Sequence, residues 1–381
     1  MASDTAGRAL KLVLIGDGES PHLLKWARAL ARQPELEAGL FVASSRGFDP
    51  AFDTVVAPTH RLALNTRPRH RGGNVGVLLQ LPRLSRWLRA IQPDWLHAHY
   101  LTSHGTLAWL AQSWGGVSGH LVCSAWGSDI LVAAHRPSPT QWLTKKVLNA
   151  SALTTSDSHH MAARMCVLGA RDVMVFPFGL ERMPSSTSAH DKDAHLFFAN
   201  RALEPLHDPL RVIDTFVAIA QAQPEARLVV ANDGSLRAAA LAQAQRSGLA
   251  ARITFVGRLT PEAQDDWYRR AQWHLSLPRS DSVSVSVLEA MAHGCIPLLS
   301  DLPANRELVR DGDNGLVLGS KTFDDLVPRL AVLHRRADAI AQANRAWVQT
   351  HAMFEPCVKA LVSRLARVTA AGASTSERTV A

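Results

Sequence analysis

Two carboxylates, Asp281 and Glu289, stand eight residues apart in the stretch 277–299, LPRSDSVSVSVLEAMAHGCIPLL. A strand end, a polar turn and a helix start near Val283 are expected there. At 1.5 Å rise per helical residue the spacing parts the two acids by about 12 Å, too far to share one catalytic step. It suits one acid at each end of an elongated ligand. Between them the N–H groups of Ser282, Val283 and Ser284 lie at the positive end of the helix, where an anion such as a diphosphate can be met. Other residues able to do chemistry sit at expected strand ends: His97 and His99 in DWLHAHY (94–100), and Asp129 in SAWGSDI (124–130). Gly16 and Gly18 in GDGESPH (16–22) permit close approach of a ligand. Each also has a plain structural reading. Asp281 and Asp129 suit helix N-caps, the histidines suit a buried core, Arg201 can pair with Glu204 or Asp208, and Glu289 can be a solvated helix residue.

The elements that must position these residues alternate. Apolar strands are expected at 10–16, 39–44, 95–99, 121–126, 152–156 and 173–178, with helices between most of them. The segment 181–195, ERMPSSTSAHDKDAH, is polar and without apolar period, and reads as a linker. Strands resume at 196–199, 227–232, 253–256, 273–277, 296–300 and 315–318, with helices near 208–222, 235–247, 261–271, 284–293, 303–310 and 322–346. The fold class is therefore α/β: two Rossmann-like parallel-sheet domains facing across a cleft. The expected division is an N-terminal domain 1–180, the linker 181–195, a C-terminal domain 196–355, a helix 356–368 returning to the first domain, and a disordered tail 369–381.

These motifs, in this order, resemble the retaining glycosyltransferases of family 4, the glycosyl transferases group 1, which have the GT-B fold. The family signature is a Glu, seven residues and a second Glu; here it reads Asp281 to Glu289, with AMAHGCIPLLSD behind it. FPFGLE (176–181), NRALEPLHDPLRVIDTF (200–216), NDGSLR (232–237), the stretch 256–282 and DLPANRELVRDGDNGLVL (301–318) follow the family's order. The resemblance implies that Asp281 binds the donor sugar, Glu289 the ribose, and Arg201 the diphosphate, with Gly234, Ser282, Val283 and Ser284 lining the donor. Where the family carries a lysine five residues after that arginine, this chain has Leu206; His207 and Arg211 are the candidate substitutes. On the acceptor-side domain it implies a functional His99, with Gly16, Gly18 and Asp129 near the substrate.

The implied reaction moves a sugar from a nucleotide-sugar, UDP-sugar favoured, to a glycan or lipid-linked acceptor with retention. Cell-surface polysaccharide or lipopolysaccharide assembly is the expected setting. No cofactor is implied, since the nucleotide-sugar is a co-substrate, and no metal, since Asp and His lack ligand spacing. The alternatives are a catalytically silent homologue serving as a binding or scaffold protein, and a transferase acting on a small metabolite. An oxidoreductase is disfavoured, because the glycine fingerprint is incomplete and the strand at 39–44 ends in VASS without a ribose-binding acid.

Composition bounds these readings. At 381 residues, 47% apolar and 19% charged, the chain can fill two cores. No run approaches the roughly 20 apolar residues of a membrane span. The start, MASDTAGRAL, does not read as a secretory signal, and the four scattered cysteines read as reduced thiols of a cytoplasmic protein, with Cys123 and Cys295 buried. Residues 1–180 hold 18 Lys and Arg against 11 Asp and Glu, which leaves the remainder of the +8 net charge at +1. The basic stretch 61–89 combines an arginine-rich loop with a helix whose Leu84, Trp87, Leu88 and Ile91 share a face. This charge suits peripheral contact with an anionic membrane at its inner face, a phosphorylated acceptor or nucleic acid, and does not choose among them; the helix also reads as core-packed with a solvated basic face. Nucleic acid is not expected, for want of any basic block with interleaved aromatics.

Overall fold

The computed structural model describes residues 9–66, 75–132, 139–185, 191–319 and 325–378. The chain divides into two compact units. The first runs to Asp157 and adds Met161–Val175 and the chain from Phe354 on; the second comprises Ser158–His160 and Phe176–Met353.

In the first unit the strands are β1 (Leu12–Gly16), β2 (Leu40–Ser44), β3 (Arg61–Ala63), β4 (Trp95–His99), β5 (His120–Ser124), β6 (Leu153–Ser156) and β7 (Val173–Val175). They form one sheet in the order β3-β2-β1-β4-β5-β6-β7, every pair parallel. Helices cover the sheet, so β1 and β4 are buried along their whole length; β1 reads as a continuous apolar run, while β4 buries His97 and His99 among its apolar residues. The helix Leu81–Ile91 buries Leu84 and Leu88, with Trp87 and Ile91 packed beside them, and leaves Arg83, Arg86 and Arg89 exposed.

In the second unit the strands are β8 (Asp193–Ala199), β9 (Arg227–Ala231), β10 (Ile253–Gly257), β11 (Ala271–Ser276), β12 (Ile296–Ser300) and β13 (Leu316–Leu318). Their order is β10-β9-β8-β11-β12-β13, again all parallel. Strand order reverses direction at β1/β4 in one unit and at β8/β11 in the other. At such a switch point the loops leaving adjacent strands diverge, opening a crevice at the carboxyl edge of the sheet.

Several boundaries differ from the sequence expectation, each for a physical reason. β3 was not expected, because three residues inside a basic stretch give no apolar run to read. The arginines of the neighbouring loop, Arg67, Arg69 and Arg71, lie outside the described residues, as do 186–190 of the expected linker. What is described of that linker belongs to the second unit. Lys192 is buried there, and Met183 packs against its core. The expected helix 322–346 is two helices, Leu326–His334 and Ala337–His351, broken at the Arg335–Arg336 turn. The last helix runs Phe354–Arg378, through most of the tail expected to be disordered. Its proline, Pro356, stands in the first turn, where it is tolerated, and further along Thr369 Oγ1 accepts a hydrogen bond from Trp95 Nε1 (2.9 Å). Residues 379–381 lie outside the described residues.

Candidate functional site

The loops leaving β8 and β11 bring Arg201 and Asp281 together. Arg201 Nη2 lies 2.8 Å from Asp281 Oδ2, and both side chains are about four-fifths buried. The other arm of Arg201 donates to Ser284 Oγ, which shares a further hydrogen bond with Ser286 Oγ (2.8 Å). Ser282 N–H donates to Asp281 Oδ1 (3.0 Å), and the Ser282 hydroxyl bonds that of Ser158 (2.7 Å), a residue of the same unit. The helix that follows is Val285–Ala292, two residues later than expected, with Ser284 at its N-cap. Only four residues of the interval between Asp281 and Glu289 are helical, so the 12 Å figure does not apply. Ser284 makes no side-chain cap, because its hydroxyl is engaged with Arg201 and Ser286. The positive end of the helix therefore keeps its need for an acceptor.

Glu289 stands on the second turn of that helix inside a hydrogen-bond chain the sequence did not announce. Gln264 Nε2 donates to its Oε2 (2.8 Å), and Tyr268 O–H reaches the same oxygen (3.3 Å) and Ser286 O (3.1 Å). Asn200 Nδ2 donates to the Tyr268 hydroxyl (3.2 Å), and Asn232 Nδ2 to Asn200 Oδ1 (2.6 Å). Burial, then the nearby Glu289 charge, holds the Tyr268 phenol well above its ordinary value, so it stays a donor. The one legible signal was Tyr268 itself: a buried tyrosine needs a partner for its hydroxyl.

Gly234 is held by packing. A Cβ there would stand 2.5 Å from Leu203 O, so the 232–236 turn can close on the 201–207 loop only with glycine. Glu204 completes the brace by accepting from Ser235 N and Ser235 Oγ. Of the two candidate substitutes for a cation at position 206, Arg211 is committed elsewhere, its Nη2 donating to Leu318 O and Gly319 O (both 2.8 Å). His207 does face Arg201 and Asp281, but burial and the Arg201 charge lower its pKa and keep it neutral.

In the first unit His99 ends β4, 2% exposed, with its Nδ1 accepting from Trp126 Nε1–H (3.2 Å). An indole N–H only donates, so Nδ1 is the bare nitrogen and Nε2 carries the proton. That Nε2 has no hydrogen-bond partner among the described residues. Burial, with His97, His104 and His22 nearby, holds the ring's pKa well below its ordinary value. The site thus offers a neutral N–H donor rather than a base. His97 is pushed down to about 3 by burial; its Nε2 bonds Ser124 Oγ (2.7 Å), and its Nδ1 has no hydrogen-bond partner among the described residues.

Asp129 is a brace. Its carboxylate accepts Leu101 N (3.1 Å) and Trp126 N (3.0 Å), tying the loops that leave β4 and β5. Burial raises its pKa against the pull of those backbone donors. At Gly16 and Gly18 the close approach comes from the chain's own atoms. A Cβ would meet Leu23 Cδ1 at 2.5 Å in one case and Gly47 O at 2.5 Å in the other. Among the described residues no cluster of three or more His, Cys, Asp and Glu side chains is placed to hold a metal ion.

Comparison with known proteins adds the family. The model described as glycosyl transferases group 1 matches residues 181–345, and one described as glycosyl transferase 4-like matches residues 11–158. No curated relative matches the chain. Among solved structures, HepE of Anabaena in complex with UDP is 16% identical, with a TM-score of 0.73 over 94% of this chain and 100% of that one. Sucrose-phosphate synthase of Thermosynechococcus elongatus gives 16% and 0.73, covering 95% and 100%. The lipopolysaccharide outer core galactosyltransferase WaaB gives 15% and 0.66, covering 90% and 99%. With two glycosyltransferase models in tandem over most of its length, and two parallel-sheet units of this strand order, the chain belongs to the GT-B-fold glycosyltransferases of group 1.

Proposed function

We propose that this chain transfers a sugar from a UDP-sugar, with retention and without a metal, to a glycan or lipid-linked acceptor in cell-surface polysaccharide or lipopolysaccharide assembly. The observation that carries the reading is the joining of Arg201, Asp281 and Ser284 at the mouth of the helix that bears Glu289. Uridine is favoured because HepE has been crystallised with UDP and with UDP-glucose. A lipopolysaccharide setting is favoured by the likeness to WaaB. In this reading Arg201 and the helix N-terminus take the charge that develops on the departing diphosphate. Asp281 orients the donor sugar, Glu289 holds the ribose hydroxyls, and the leaving phosphate accepts the acceptor proton. His99 gives its Nε2–H to a sugar hydroxyl.

Calorimetry with a panel of UDP- and GDP-sugars tests this. Wild type should select one donor, and Glu289→Ala should bind it about thirtyfold more weakly through loss of charge-assisted hydrogen bonds. A folded wild type that binds no donor would point instead to a silent scaffold. The anomeric configuration of the product decides retention, and activity in EDTA decides the metal question.

The lipid-linked acceptor is favoured by charge segregation. Between Asp53 and Asp157 the chain carries ten Lys and Arg but two acids, Asp94 and Asp129. Both acids are engaged by backbone, Asp94 accepting Lys11 N (2.8 Å) and Asp129 as above. The neighbouring helices Leu81–Ile91, Thr106–Ser113 and Pro139–Ala150 bear no acid at all. Lys145, Lys146 and a 55% exposed Trp142 stand outward on the last. Sedimentation with anionic vesicles, relieved by salt and by Lys145→Glu/Lys146→Glu, is the expected result; equal recovery with zwitterionic vesicles removes the membrane part.

A further inference from the structure

A diphosphate brings at least two negative charges to the mouth of the Val285–Ala292 helix, and the cation already there is half spent. Arg201 is paired with Asp281, so the two together present no net charge. The loop 201–211 and the turn 277–284 hold three arginines and one histidine. Arg211 is fixed on the carbonyls of Leu318 and Gly319, and His207, partly buried and beside Arg201, is held neutral. Arg279 is left.

Its position is specific. Arg279 N–H donates to Leu206 O (2.9 Å), stitching the turn after β11 to the loop after β8, across the switch point. Its guanidinium is 68% exposed and rests on Asp208, Nε to Oδ2 2.9 Å. Asp208 adopts a left-handed backbone (φ 47°), and its side chain is only 13% exposed, so the carboxylate is fixed while the arginine is not. An exposed ion pair of this kind is worth little to the fold, because water competes for both partners. A guanidinium leaving one carboxylate for two phosphate oxygens loses little and gains a bidentate contact.

We propose that Arg279 is the second diphosphate-binding cation of this chain, parked on Asp208 when no donor is bound and transferred to the phosphates when one is. It stands against the backbone of Leu206, so it brings charge to a loop position whose own side chain is apolar. The proposal rests on the reading of this site as the donor diphosphate site.

Calorimetric binding of UDP and UMP tests it. Arg279→Gln should weaken UDP about tenfold and UMP less than about threefold, since one charge-assisted contact goes with the outer phosphate. Asp208→Asn should bind UDP as tightly as wild type or more so, because the parked arginine is released. Leu206→Lys placed in the Arg279→Gln background should restore UDP binding. If Arg279→Gln and Asp208→Asn weaken UDP alike, the pair is a loop brace and the proposal fails. It fails equally if Arg279→Gln binds UDP as wild type does. Wild type binding neither UDP nor GDP would instead remove the reading of the site itself.

Discussion

Arg201→Met is expected to lower turnover by about a thousandfold, the scale of losing a donor aimed at charge that develops in the transition state. The departing diphosphate gains charge as the glycosidic bond breaks, so Arg201 matters more there than in the ground state. The loss should fall on kcat more than on KM. The substitution also strips Asp281 of its 2.8 Å partner and Ser284 of a donor, so the carboxylate at the sugar end loses its anchor too. Arg201→Lys should recover part of the rate, since a point charge remains but the fork that spans Asp281 and Ser284 does not. Steady-state kinetics with the donor identified by calorimetry provide the check. A fall of less than tenfold would assign Arg201 a structural place only.

The second large effect concerns stability. Lys192 is 7% exposed, and its ammonium donates to Tyr268 O (2.8 Å), Arg269 O (3.2 Å) and Ala271 O (3.1 Å). These are the last carbonyls of the helix Pro261–Arg270 and the first of β11, at the negative end of the helix dipole. Cys295 S–H also reaches two of them, Tyr268 O at 3.1 Å and Ala271 O at 3.2 Å, so the loss of the lysine is softened there. Lys192→Met keeps the length of the stem and deletes the donors. It should cost about 3 kcal/mol through poorly satisfied buried carbonyls. For a unit of this size that lowers the melting temperature by about 10 °C. Differential scanning calorimetry reads it, and a change within about 2 °C would show that the carbonyls find other donors. Tyr268 also holds Glu289, so a looser helix end should weaken nucleotide binding as well.

The parallel sheets were legible because buried strands such as LVLIG and IPLLS are unbroken apolar runs between amphipathic helices. Asp281, Glu289 and Arg201 stood out in the sequence through the order of the family's motifs, whereas the ion pair joining Arg201 to Asp281 shows only in the fold. What escaped depends on approach in space. Nothing in HDKDAH marks Lys192 as a helix-end donor, since its acceptors lie 76 to 79 residues on. Asp129 looks like a catalytic acid in sequence, and only folding shows its oxygens turned to Leu101 and Trp126. The glycines at 16 and 18 signal tight quarters correctly, but a sequence does not say whether a ligand or a leucine fills them. Arg279 was passed over because arginines in turns are common, and its neighbour Leu206 is 73 residues earlier.

The last helix gives the chain an order of completion. Phe354, Val358, Leu361, Val362 and Leu365 are buried, and Phe354 meets Trp26 edge-on (5.0 Å between rings) in the first unit. Yet these residues follow the whole 176–353 segment in the chain. The unit whose strands precede that segment is thus closed by a helix made after it. Until then, the Trp26 side of its opening helix waits uncovered.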